Sequence, residues 1–230
     1  MAQQENAVQQ DLQRLMESRV SMYSMLAQLF QKEVSVEQLH ELQRMNFPTA
    51  TGNTLVDEGY RDMYDYLKLA WDQSVDELKV DYSRTFIGHG SNGYSAAYLY
   101  ESVYTSGRRL LAREARGEVL EAYRENGLKK GKWNDMEDHL GLMLEFMQVL
   151  ASRSCEALQA QDYARFDELL EKQHDFVRNH LLNWLPMMLD DVLRFAQTSF
   201  YQGLAKLVLG YAEVDEELLR ELVVDAEQAA

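Results

Sequence analysis

The chain has 230 residues and a mass of 26.7 kDa, 46% hydrophobic and 27% charged, which is length enough for a sizeable core and an ordinary globular composition. Its formal charge of −15 and pI near 4.7 repel phosphates, which argues against nucleic acid and anionic membrane surfaces as partners. The same charge admits two readings, a solvated acidic surface or a surface for a basic partner.

In chain order nearly every segment predicts helix. Leu12, Leu15, Met16, Arg19, Tyr23, Leu26 and Phe30 recur at three- and four-residue spacing and predict a first helix with one apolar stripe. Ser35 predicts the cap of a shorter helix, with Glu37 and Gln38 in its first turn. Phe47-Pro48-Thr49 breaks the chain. A third helix carries Tyr60, Met63, Tyr64, Leu67 and Trp71, and a fourth runs from near Ser74 to Phe86. Gly88 to Gly93 reads as a flexible loop, after which helix resumes from Glu101 to Glu125. A glycine- and lysine-rich joint follows, Gly127-Leu128-Lys129-Lys130-Gly131-Lys132. The helix from Asp138 to Ser154 is apolar on most sides and belongs in a core. Two more run from Asp162 to Asn179 and from Trp184 onward, with Pro186 in a first turn. Phe195 to Tyr211 is apolar nearly all round, and Asp215, Glu216 and Glu217 predict the start of a separate last helix.

No alternating strand pattern is present. The expected fold class is all-α, a single helical bundle over 1–230. Its N-terminal half (about 1–127) and C-terminal half (about 135–230) meet at a hinge near 128–134. The first residues lack a basic stretch followed by an apolar one, and no apolar run reaches the roughly 18 residues of a membrane span. A cytoplasmic location without membrane insertion is therefore expected, with the single Cys155 as a buried structural thiol.

The chemistry-bearing residues form no catalytic apparatus. Two Glu-x-x-His motifs, Glu37 to His40 and Glu171 to His174, have the spacing of di-metal ligands in bundles. Val36, Leu39 and Leu42 on one helix, and Phe166, Leu169, Leu170 and Val177 on the other, set core faces that turn these motifs outward or to the flank. No metal, cofactor or ordered catalytic triad is expected. The glycine loop lacks the Gly-Lys-Ser/Thr ending of a phosphate cradle. Lys129, Lys130 and Lys132 read either as an anion contact or as a solvated linker. Around the loop cluster Tyr82, Phe86, Tyr94, Tyr98, Tyr100 and Tyr104. They suit core packing, or a peptide groove in which Asp81, Glu101, Glu137 and Asp138 take cationic side chains. His139 suits either tuning of such a site near neutral pH or capping of a helix.

Three segments together resemble the TorD/DmsD/NarJ family. The first is Asp81-Tyr82-Ser83-Arg84-Thr85-Phe86-Ile87-Gly88 with Tyr100-Glu101-Ser102-Val103-Tyr104. The second, Asp135-Met136-Glu137-Asp138-His139-Leu140-Gly141, is similar to the family's Glu-Pro-x-Asp-His motif, and the third is Phe200 to Leu207. The resemblance spans almost the whole chain. It implies a cytoplasmic, non-enzymatic chaperone for a molybdenum-containing anaerobic reductase of DMSO- or TMAO-reductase type. Such a chaperone binds the precursor's twin-arginine signal peptide and delays export until the cofactor is inserted. By position it implies peptide-binding roles for Tyr82, Phe86, Glu101, Tyr104, Glu137, Asp138 and His139. It is compatible with a monomer or a dimer, including one that exchanges halves. Asp135 and Met136 depart from the motif's glutamate and proline, which loosens the expected turn.

Overall fold

The computed structural model describes residues 2–88, 96–106, 113–133 and 135–229. Among these residues it contains ten α-helices and two π-helical turns. The helices are α1 (Ala2–Gln31), α2 (Val36–Arg44), α3 (Thr54–Leu67), α4 (Ser74–Tyr82), α5 (Glu101–Thr105), α6 (Arg113–Glu125), α7 (Leu140–Gln159), α8 (Tyr163–Phe176), α9 (Leu185–Phe195) and α10 (Ser199–Ala229). The π turns, Ser83–Ile87 and Val177–Leu181, continue α4 and α8. The all-α class holds: β pairing among the described residues is limited to one isolated bridge between Tyr100 and His139.

Local signals set most of the ends. Ser35 caps α2 in a capping box, its side chain accepting from Gln38 N–H while the Gln38 side chain accepts from the Ser35 N–H. Asn53 caps α3 through Val56 N–H at 3.1 Å. Helix α6 closes with a Schellman motif: Gly127 stands at φ +66°, and Gly127 and Leu128 donate to the Arg124 and Tyr123 carbonyls.

Three expectations need correction. Helix α3 stops at Leu67, and Trp71 lies beyond it in the turn to α4, 63% exposed. The expected helix over Glu101–Glu125 is two helices, α5 and α6, and the stretch 107–112 between them lies outside the described residues, as does 89–95 of the glycine loop. The last two helices are one: α10 runs unbroken through Asp215. Asp215 is buried in mid-helix, where it takes Arg19 of α1 at 2.6 and 2.9 Å and the Tyr23 hydroxyl at 2.6 Å. Its charge is met across the core, so no helix start is needed to neutralise it.

The broadest helix pairings are α3 with α10 and α1 with α7, each joining the N-terminal part of the chain to the C-terminal part. Both depend on glycine. An added Cβ at Gly203 would lie 2.7 Å from the Gly59 carbonyl oxygen, and one at Gly141 would lie 2.6 Å from Gln31 Cγ. A continuous core results, with Met16, Phe30, Met63, Leu144, Trp184, Phe200 and Leu204 all buried. Cys155 is a free, buried thiol within it, as expected.

Candidate functional site

The extended strap 96–100 joins two of the segments singled out in the sequence. At one end Ala97 N–H donates to the Thr85 carbonyl in the π turn after α4 (2.7 Å). At the other, Leu140 N–H donates to the Leu99 carbonyl (2.8 Å) and Glu101 N–H to the Asp138 carbonyl (3.2 Å). The motif turn 135–139 is thereby sewn to the strap and to the start of α5.

Each motif residue is committed inside this junction. Asp138 is fully buried, and its Oδ2 accepts Ser102 N–H at 3.1 Å, which places a carboxylate at the N-terminus of α5. Among the described residues Asp138 Oδ1 and Ser102 Oγ are buried without a hydrogen-bond partner. His139 caps α7, its Nδ1 accepting Gly141 N–H at 3.0 Å, so the neutral ring carries its proton on Nε2. The ring stands edge-on to Tyr100 and Trp133, with centroids at 5.1 and 4.7 Å. Burial pushes its pKa down to about 4, with the Asp135 carboxylate opposing. His139 thus serves as a capping histidine, and its burial favours the neutral ring.

Glu137 is nearly buried and pairs with Arg116 of α6 at 2.5 Å and with Lys130 at 3.6 Å. Burial alone would raise its carboxyl, but Arg116, a backbone hydrogen bond and Lys130 together hold it below the usual range. The Tyr123 hydroxyl donates to the Glu137 carbonyl at 2.9 Å. Glu101 accepts Asn183 Nδ2 at 2.8 Å and lies 3.2 Å from His180 Nδ1. Tyr104 stacks on Trp184, 5.4 Å between centroids and 23° between planes. Tyr82 donates to the Phe30 carbonyl at 2.9 Å and meets Phe86 edge-on at 5.1 Å; Phe86 meets Tyr201 at 5.5 Å. Burial first, then the Asp135 and Glu33 carboxylates, raise the Tyr82 hydroxyl.

All seven residues singled out from the sequence are therefore packed at one junction, none more than 7% exposed. Core packing describes the present surroundings of Tyr82 and Phe86. The more accessible groups at the junction are Glu33, Tyr98, Tyr100, Trp133 and Asp135, all half-buried. Glu33 accepts the Ser83 hydroxyl at 3.3 Å, and Asp135 accepts the Tyr100 hydroxyl. Tyr94 lies outside the described residues. Asp81 is spent elsewhere, accepting Gln197 and Thr198 N–H and the Thr198 hydroxyl at 2.6–3.2 Å ahead of α10. The sequence reading missed Arg116, His180 and Asn183. His180 and Asn183 meet Glu101 across about 80 residues, a separation that no local motif encodes.

Of the two Glu-x-x-His motifs, Glu37, His40 and Glu171 are exposed. His40 lies 2.9 Å from Asp72, and His174 lies 3.2 Å from Glu216. Among the described residues no cluster of three or more His, Cys, Asp or Glu side chains is placed to hold a metal ion, and no helix is long and apolar enough to cross a membrane.

An all-helical bundle whose motif turn is sewn to a tyrosine-rich strap defines a family rather than a reaction. The family model for the nitrate reductase delta subunit matches residues 53–190. Chaperone protein TorD of Vibrio cholerae serotype O1 is 28% identical over 221 residues, covering 93% of this chain and 97% of that one. Chaperone protein TorD of Vibrio vulnificus is 26% identical over 217 residues (91% and 98%), and that of Shewanella pealeana 26% over 211 (87% and 89%). The chain belongs to the TorD/DmsD/NarJ family of redox-enzyme maturation chaperones.

Proposed function

We propose that this chain is a cytoplasmic, non-catalytic chaperone for a molybdenum-containing reductase of DMSO- or TMAO-reductase type. It binds the precursor's twin-arginine signal peptide and holds back export until the cofactor is in place. The observation that carries this is the junction of strap, π turn and motif turn, where aromatic side chains and carboxylates from distant segments converge in a chain of charge −15. Family membership and relatives named chaperones support it. Tyr82, Phe86, Glu101, Tyr104, Glu137, Asp138 and His139 form the wall and frame of the peptide site. The guanidinium groups meet Glu33 and Asp135 at its half-exposed rim, because a carboxylate pairs well with a planar fork of N–H donors. The chain works as one domain whose halves, about 1–127 and 135–230, are hinged at 128–134, as a monomer or as a dimer that exchanges halves.

Calorimetric titration with a twin-arginine signal peptide, beside a twin-lysine version, tests the reading. Binding in the roughly micromolar range that weakens about tenfold with lysine is expected, since an ammonium cannot reproduce the fork. Glu33→Gln with Asp135→Asn weakens the arginine peptide and leaves the helical circular dichroism unchanged. Equal affinity for the two peptides would remove the arginine site, and unchanged affinity in the double variant would remove those two carboxylates from it.

A further inference from the structure

A second feature adjoins the junction and shares Tyr123 and Lys130 with it. A cavity of about 280 Å³ opens under the glycine–lysine joint. Its floor is aromatic and aliphatic: Tyr123 from α6, and Leu142, Phe146 and Val149 from α7. Tyr123 and Phe146 are buried and packed at 4.8 Å between ring centroids. The rim is cationic on the joint side, where Lys129 and Lys130 line the opening and Lys132 follows in the chain. On the α7 side it carries Glu145, which is held by the Gln31 amide at 2.9 Å. Lys129 and Lys132 are exposed and form no ion pair among the described residues.

We infer that this cavity is an anchor site for a client segment in which one bulky apolar side chain is flanked on one side by carboxylates. Three observations select that occupant. The volume lies just below the roughly 300–1,000 Å³ of small-molecule sites and suits a single large side chain, the usual form of a binding anchor. Lys129 on the rim and Lys132 just beyond it form no ion pair among the described residues of a chain of charge −15, so an acidic flank finds its complement there. Glu145 on the α7 side disfavours acidic residues on the second flank. The site is continuous with the junction, because Tyr123 donates to the Glu137 carbonyl and Lys130 pairs with the Glu137 carboxylate. An anchored client would thus touch the chaperone at two chemically opposite places, a basic segment at the carboxylate rim and an acid-flanked apolar residue at the lysine cavity. The inference rests on the client-binding reading for its biological sense, and its test uses no arginine.

The test is an amide NMR titration of the full chain with a blocked Glu-Glu-Phe-Ala-Ala peptide and with its Glu-Glu-Ala-Ala-Ala counterpart. Saturable shifts at Leu142, Phe146 and Val149 are expected for the first, with about tenfold weaker binding for the second, as fits removal of a buried anchor. Lys129→Glu with Lys132→Glu, both at exposed positions, weakens the phenylalanine peptide several-fold. Val149→Trp, which fills the cavity, abolishes the shifts while calorimetric affinity for a twin-arginine peptide is kept. Equal shifts from both peptides, shifts confined to the lysines, or unaltered binding in the lysine double variant would overturn the anchor site. Failure of the arginine peptide alone would instead overturn the signal-peptide reading and leave the cavity result standing.

Discussion

At the scale of single residues, His139 shows how burial reassigns a side chain. Its sequence position beside Glu137 and Asp138 admits a titrating group, yet the ring is enclosed by Tyr100 and Trp133 and spends Nδ1 on the α7 cap. Its pKa falls from 6.5 to about 4, so across that window the folded state binds fewer protons than the unfolded one. The stability it lends is complete above the unfolded value of 6.5 and is lost as pH falls to about 4. Urea midpoints measured at stepped pH should decline over that range. In His139→Asn the amide oxygen retains the cap, so the decline flattens; a variant curve parallel to the parent would assign the pH dependence to other groups. Asp138 carries a related lesson. Its motif position was readable, but its burial and its bond to Ser102 N–H depend on a segment 36 residues away.

At the scale of elements, local chemistry was readable where partners lie within a turn. Ser35 was read as the cap of α2, and its partner Gln38 lies within one turn; Gly127, read only as part of the joint, closes α6 through bonds that are just as local. The π turns were not readable, since widening a helix by one residue follows from what each helix must reach: Thr85 for the strap, His180 for Glu101. The strap itself showed no alternating pattern because it pairs through isolated backbone bonds and not through a ladder. Helix-to-helix distance is likewise a tertiary quantity. At Gly203 an added methyl would meet the Gly59 carbonyl oxygen at 2.7 Å and Met63 N at 2.9 Å, both backbone atoms that cannot swing aside. Gly203→Ala should therefore cost about 1–3 kcal/mol through forced separation of α3 and α10. A thermal midpoint equal to that of the parent would show that the two helices are free to shift.

At the scale of the whole molecule, Arg19 and Asp215 tie the first helix to the last through a two-toothed ion pair, both side chains almost wholly buried. Asp215→Ala strands a buried guanidinium and should cost about 3–5 kcal/mol, read as a lower denaturant midpoint. Replacing both, Arg19→Met with Asp215→Leu, should recover much of that loss, because the larger penalty comes from the unpaired charge and not from the absent attraction. A double variant no better than the single would mean that the pair adds stability beyond its own desolvation. The amino-acid sequence alone determined the all-α class, most helix spans, the outward Glu-x-x-His motifs and the three family segments. The first three depend on periodicity, capping or spacing, which act over one or two turns of chain, and the last on resemblance of short contiguous segments to a family. Only the tertiary structure decided that α10 is one helix, that the motif carboxylates face inward, that Glu33 and Asp135 are the more accessible acids, and that the joint lysines rim a cavity. Those outcomes depend on which distant groups share a desolvated space, and there the cost of leaving a charge or a polar atom unpaired selects among locally equivalent arrangements.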